Sequence, residues 1–93
     1  MEIKYPKLTQ IMSHCLYQDA APSFSEAILM YTLNGSDAVI DVIKEINELL
    51  EDGYAENQVL PYVSAHCDYL ENGNGIDTLR YIRKVLLNSM RNN

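Results

Sequence analysis

The sequence is poor in the features that membrane and secreted disulfide-bonded proteins require. It has only two cysteines and no run of 18 or more apolar residues, so we predict no transmembrane helix. The start of the chain lacks the apolar segment of a signal peptide, and we therefore expect a cytoplasmic protein. In that reducing compartment, a disulfide between Cys15 and Cys67 is not expected.

Motifs for catalysis and metal binding are also missing. The chain has no glycine-rich phosphate loop with its lysine and no H-E-x-x-H zinc motif. It does contain two His-Cys dipeptides, His14-Cys15 and His66-Cys67. Adjacent helical residues point about 100° apart, so each dipeptide offers one inward ligand, whereas zinc needs four convergent ligands. We predict no metal site, no cofactor and no enzymatic activity.

Basic residues are scarce in the middle of the chain. Seven Lys and Arg against 13 Asp and Glu give a net charge of −6, with a pI near 4.6. Residues 37–77 hold ten acids and one base, Lys44, whereas residues 78–93 hold four bases and no acid. Phosphate backbones repel such a surface, so we expect no direct nucleic-acid binding. The natural partner of the acidic block is a basic protein surface.

The helical spacing of apolar residues predicts an all-α, compact bundle-like domain of about five short helices. The 93 residues fit a single domain, residues 1–93, with one modest core. No segment alternates with period two, so we predict no strand. The first helix opens at Pro6 and runs to about Tyr17, before residues 18–22 break the pattern.

The second helix is predicted from its ends. Ser23 and Glu26 have the spacing of a capping box, which marks a helix start. The helix then carries Tyr31 and Leu33 and stops at Asn34-Gly35, a strong turn signal.

The third helix, residues 36–53, has the longest uninterrupted pattern. Its apolar side consists of Val39, Val42, Ile43, Ile46, Leu49 and Leu50, and its opposite side of Asp37, Asp41, Glu45, Glu48 and Asp52. Ser36 is a good N-cap, and Gly53 suits the left-handed position after the helix. We expect the apolar side to hold the core together and the acidic side to face outward.

Two further helices complete the prediction. Val59, Leu60, Val63 and His66 suggest a fourth helix of about ten residues. Pro61 must then lie near its first turn, because an internal proline removes a hydrogen bond. A loop rich in Asn and Gly follows, and Asp77 is a plausible N-cap for the last helix.

The seven tyrosines divide into two sets of interest. Tyr31 and Tyr81 occur at helical spacing with core residues and are predicted to be buried. Tyr54, Tyr62 and Tyr69 lie in or beside the acidic block. Tyrosine is enriched at interface hot spots, because it combines apolar area with a polar tip.

Several short motifs follow one another in a fixed order over residues 5–87. They are Tyr5-Pro6-Lys7-Leu8, Gln18-Asp19, Ser25-Glu26-Ala27, the segment 49–53, Gly75-Ile76-Asp77 and Arg80-Tyr81-Ile82. Their order resembles that in the small CdiI immunity proteins of bacterial contact-dependent growth inhibition systems. The chain departs from that pattern at four positions. The family has aromatic residues where this chain has Cys15 and Ala20, histidine where it has Tyr17, and usually Trp where it has Tyr81.

The resemblance implies a binding function. Such a protein binds and neutralises a cognate toxin domain, the C-terminal region of a large exported CdiA-like protein, when a sibling cell delivers it. These toxins are often nucleases with basic surfaces. Our hypothesis from charge patterning is that the acidic helix face covers such a surface. The proposed toxin-binding residues are Asp37, Asp41, Glu45, Glu48, Asp52, Glu56, Tyr69 and Glu71.

Two other classes of function remain open at the sequence level. One is a helical adaptor or regulatory protein that binds another basic protein, which the lack of a neighbouring toxin gene would favour. The other is a small enzyme, which would need a concave pocket with convergent, buried carboxylates.

Overall fold

The computed structural model describes residues 4–15 and 23–91, apart from the side chains of His14 and Cys15. The α-helices are α1 (Pro6–Cys15), α2 (Phe24–Tyr31), α3 (Ser36–Glu51), α4 (Glu56–His66) and α5 (Gly75–Arg91). Short 3-10 turns, Thr32–Asn34 and Glu71–Gly73, precede α3 and α5. The described residues contain no strand. The prediction of an all-α, bundle-like domain with about five helices is confirmed.

A single core joins the helices. α5 packs against α2, α3 and α4, and α1 packs against α2, α3 and α4. Every helix contributes apolar side chains that water does not reach. The fully buried large side chains are Leu8, Ile11, Met12, Ile28, Val42, Ile46, Leu49, Val59, Leu79, Ile82 and Leu86. Burying this apolar surface is the main favourable term in folding.

α3 has the predicted apolar side. Val39, Val42, Ile43, Ile46 and Leu49 are buried, and Leu50 is half-buried. Gly53 has φ 77°, the left-handed conformation predicted after the helix end. The expected N-cap is wrong by one residue, because Gly35 occupies the cap position and Ser36 is the first helical residue.

α1 begins at Pro6 as predicted. The N–H of a first-turn residue has no acceptor within the helix, so proline, which lacks this N–H, is tolerated there. The described part of α1 ends at Cys15, so the predicted end near Tyr17 lies outside the described residues. The break at residues 18–22, including Gln18-Asp19, lies outside them too.

The second helix begins as predicted and ends earlier. The Glu26 N–H donates to the Ser23 hydroxyl at 3.3 Å, so Ser23 is the N-cap. The α-helix stops at Tyr31, and the chain tightens into the 3-10 turn that carries Leu33. Leu33 is 87% exposed and lies outside the core, contrary to its place in the helical pattern.

Pro61 lies deeper in α4 than expected. It is the sixth residue of the helix and not part of the first turn. Without an amide hydrogen it cannot donate to the Asn57 carbonyl, its helical partner four residues earlier. Both residues are exposed, so water can satisfy that carbonyl.

α5 is capped by Asn74, and the prediction of Asp77 as its N-cap is wrong. The Asp77 N–H donates to Asn74 Oδ1 at 2.8 Å, and Asn74 Nδ2 donates back to the Asp77 carboxylate at 3.1 Å. Gly75 follows in close contact with α4. A Cβ at this position would lie 2.8 Å from the Leu60 backbone nitrogen, so only glycine fits without a shift.

No helix among the described residues combines the length and the apolar character needed to cross a bilayer.

Candidate protein-binding surface

α3 presents four carboxylates to solvent: Asp37, Asp41, Glu48 and Glu51, called here the acidic row. At 100° per residue, their directions fall within about 80° of one another. Lys44, also exposed, lies in the middle of the row. Within the part of the chain that the structure describes, the four carboxylates have no hydrogen bond or ion pair. They are therefore available to a partner.

Glu45 lies on the same side of α3, but its carboxylate is hydrogen-bonded within the protein. Its carboxylate accepts hydrogen bonds from the backbone N–H of Lys7 at 2.9 Å and of Leu8 at 3.1 Å. These amides belong to the first turn of α1, where no helical carbonyl can accept them. A negative charge at a helix N-terminus is also favourable. Glu45 thus fixes α1 onto α3.

Asp52 is also engaged within the fold. Its carboxylate accepts a short hydrogen bond from the Tyr5 hydroxyl, which ties the start of the chain to the end of α3. That hydrogen bond, with some burial, raises the pKa of the Tyr5 phenol well above its ordinary range. Asp52 as a whole remains exposed.

Glu56, at the start of α4, caps α5. It accepts hydrogen bonds from the backbone N–H of Gly75 at 2.8 Å and of Ile76 at 2.9 Å. Together with Asn74, it satisfies the first three amides of α5. Like Glu45, it holds two helices together, and its half-buried carboxylate is a poor candidate for partner contact.

Tyr69 and Glu71 lie in the segment before α5. The Tyr69 ring stacks on Phe24 at a centroid distance of 4.9 Å, and Phe24 also contacts Tyr81 at 5.0 Å. The backbone N–H of Glu71 donates to the buried Thr78 hydroxyl at 2.8 Å. Both residues are half-buried, and the Tyr69 ring packs on α2 rather than on the acidic row.

The remaining tyrosines are only partly as predicted. Tyr31 is buried, whereas Tyr81 is half-buried. Tyr62 is half-buried, and its hydroxyl lies 2.6 Å from Thr9 Oγ1. Burial raises the pKa of the Tyr62 phenol. Its ring meets His66 edge-on at 5.6 Å.

Cys67 is a free, buried thiol. Its sulfur donates to the Tyr69 carbonyl at 3.1 Å, and burial raises the pKa of the thiol to about 11. A thiol so rarely ionised is a poor nucleophile. Among the described residues, no three His, Cys, Asp or Glu side chains form a cluster suited to a metal ion.

Sequence reasoning left out two features of this surface. Glu51 belongs to the acidic row, and its position follows from the 100° rule applied one turn further along α3. The second feature is a group of exposed apolar side chains, Leu29, Met30 and Leu33, just before α3. The sequence did not predict this group, because the helical spacing of apolar residues placed Leu33 in the core.

Comparison with known protein families, curated proteins and solved structures finds no match to this chain.

Proposed function

We propose that this chain is a cytoplasmic immunity protein, which binds and neutralises the toxin domain of a contact-dependent growth inhibition system. The order of its sequence motifs supports the family, and the acidic row supports a basic partner. The toxin domain is proposed to be a nuclease, the C-terminal region of a large exported protein. The chain performs no chemistry in this proposal and acts by binding.

The observation that carries the proposal is the acidic row. Like charges three or four residues apart weaken an isolated helix by a few tenths of a kcal/mol per pair, and only Lys44 offsets them. The fold uses Glu45, Asp52 and Glu56 in its own hydrogen bonds, but it makes no such use of the row within its described residues. A basic partner is a direct reason for these unpaired charges.

The mechanism in this proposal is occlusion. A nuclease holds its substrate through a basic cleft, and a helix with carboxylates along one face can occupy the same cleft. Opposite charges on the two proteins steer their encounter and raise the association rate. Fast capture suits a protein that must bind the toxin before the toxin reaches its substrate.

The test is calorimetric titration of the chain into the toxin domain encoded immediately upstream, at about 50 and 200 mM NaCl. We expect nanomolar or tighter binding that weakens as salt rises. Neutralising two residues of the row (Asp41→Asn, Glu48→Gln) should weaken binding about tenfold and reduce its salt dependence.

The matched control places the same change of net charge elsewhere. Ala65→Lys with Asn88→Lys adds two positive charges at exposed positions of α4 and α5. It should leave affinity close to that of the wild type. Equal losses in both double variants would show that net charge, and not the row, matters. No binding by the wild type would remove the immunity function and favour an adaptor for another basic protein.

A further inference from the structure

Three apolar side chains project into solvent at the end of α2 and in the turn that follows. Leu29 is 41% exposed, Met30 50% and Leu33 87%. Leu29 and Met30 are adjacent near the end of α2, and Leu33 follows three residues later in the 3-10 turn, so the three exposed side chains lie close together along the chain and are called here the apolar patch. Single exposed apolar residues need no explanation, but a contiguous group marks an interaction site.

The turn that carries Leu33 is held in place on both sides. Thr32 Oγ1 donates to the Leu29 carbonyl at 2.6 Å, Asn34 Nδ2 donates to the Tyr31 carbonyl at 3.0 Å, and the Gly35 N–H donates to the Thr32 carbonyl at 3.1 Å. Tyr31, between them, is buried in the core. The backbone around Leu33 is therefore held by hydrogen bonds. Binding of a partner to Leu33 would cost little conformational entropy of the turn.

Acidic residues flank the patch at both ends. Glu26 precedes Met30 by one helical turn, and both side chains are exposed. Asp37, the first member of the acidic row, follows Leu33 by four residues, which span at most about 14 Å. An apolar centre with a charged rim is the ordinary anatomy of a protein interface.

The charge of this rim selects the occupant. A symmetric dimer with the patch of one copy against that of the other would bring the carboxylates of both rims together, which is unfavourable. A basic protein would pair its cations with Glu26 and Asp37 while covering the apolar centre. The patch is continuous along the chain with the acidic row, so one partner can engage both.

We infer that Leu29, Met30 and Leu33 are the apolar anchor of the interface with the basic toxin domain, which receives Leu33 in an apolar pocket ringed by Lys or Arg. This inference rests on the proposed function and deepens it. The acidic row supplies steering and salt dependence, and the anchor supplies the part of the affinity that salt does not change.

The experiment uses a double variant that combines Leu33→Ser and Met30→Gln. Its affinity for the same toxin domain is compared with that of the wild type by calorimetric titration. Covering these side chains removes enough apolar surface from water for the variant to lose tenfold or more in affinity. Its salt dependence should stay as in the wild type. Since both positions are exposed, its melting temperature should hardly change.

Leu87→Ser with Met90→Gln is the matched control, because it makes the same two substitutions at exposed positions of α5. It should bind like the wild type. If the wild type binds and the double variant binds equally well, the anchor is wrong and the immunity function stands. If the wild type does not bind, both proposals fail. Sedimentation of the free chain as a dimer that the double variant abolishes would assign the patch to self-association and overturn the inference.

Discussion

Glu56 joins two helices through a single carboxylate. Its two oxygens accept the first two amides of α5, and neither amide has a helical acceptor of its own. The residue itself belongs to the first turn of α4. Its removal would leave half-buried donors unpaired between two packed helices.

We therefore predict that Glu56→Ala lowers the free energy of unfolding by about 1–2 kcal/mol, as the loss of a helix cap does. Urea denaturation followed by circular dichroism measures this. The control is Glu51→Ala, which removes an exposed carboxylate from the last turn of α3. It should leave stability unchanged or slightly higher, because a negative charge at a helix C-terminus is unfavourable. Similar losses in both variants would contradict the capping role.

Periodicity predicts which side of α3 a residue occupies, but not what that residue meets. Asp41 and Glu45 belong to the same predicted face, yet Asp41 is exposed and unpaired among the described residues while Glu45 caps α1. The amides that Glu45 binds lie 37 and 38 residues earlier in the chain. A local pattern contains no information about such a distant partner.

Helix interiors were easier to predict than helix ends. The buried side of α3 follows from apolar spacing alone, because a stripe that must leave water has few ways to pack. The ends depend on one or two hydrogen bonds. Asn74 and Asp77 both suit an N-cap by residue type, and only the structure shows that Asn74 has this role, because its Oδ1 accepts the Asp77 N–H.

Pro61 gives a test at the level of a whole helix. It leaves the Asn57 carbonyl without a helical donor, and its ring is exposed. Pro61→Ala should therefore raise the free energy of unfolding by about 1–2 kcal/mol. The substitution restores a helical hydrogen bond, and the greater conformational entropy of the unfolded chain offsets part of that gain.

Pro6→Ala is the control for Pro61→Ala. Pro6 is also exposed but is the first residue of α1, where a missing N–H costs nothing. Its substitution should not stabilise the protein. Thermal unfolding of the two variants measures both effects on stability. Equal effects would mean that the missing hydrogen bond to the Asn57 carbonyl is not the reason why Pro61 lowers stability.

The whole molecule carries its negative charge in one block. Residues 37–77 contain ten of the 13 acids, and residues 78–93 contain none. Folding brings the acids of this block closer together than they are in the unfolded chain. Their repulsion is a cost to stability that salt can screen.

We predict that raising NaCl from about 20 to 300 mM increases the free energy of unfolding by about 0.5 kcal/mol. Glu51→Gln, which removes one repelling charge, should be more stable than the wild type at low salt and should gain less from added salt. Denaturant titrations at both salt concentrations measure the two effects. A wild type that loses stability with salt would mean that attractive charge pairs dominate.

The carboxylates that cap helices and those of the acidic row differ in how freely they can be substituted. Glu45 and Glu56 cannot be exchanged without loosening α1 or α5, so these positions are fixed by the fold. Asp37, Asp41, Glu48 and Glu51 can change with little structural penalty. Under the proposed immunity function, substitutions in the acidic row would therefore change toxin recognition one carboxylate at a time without disturbing the helices beneath.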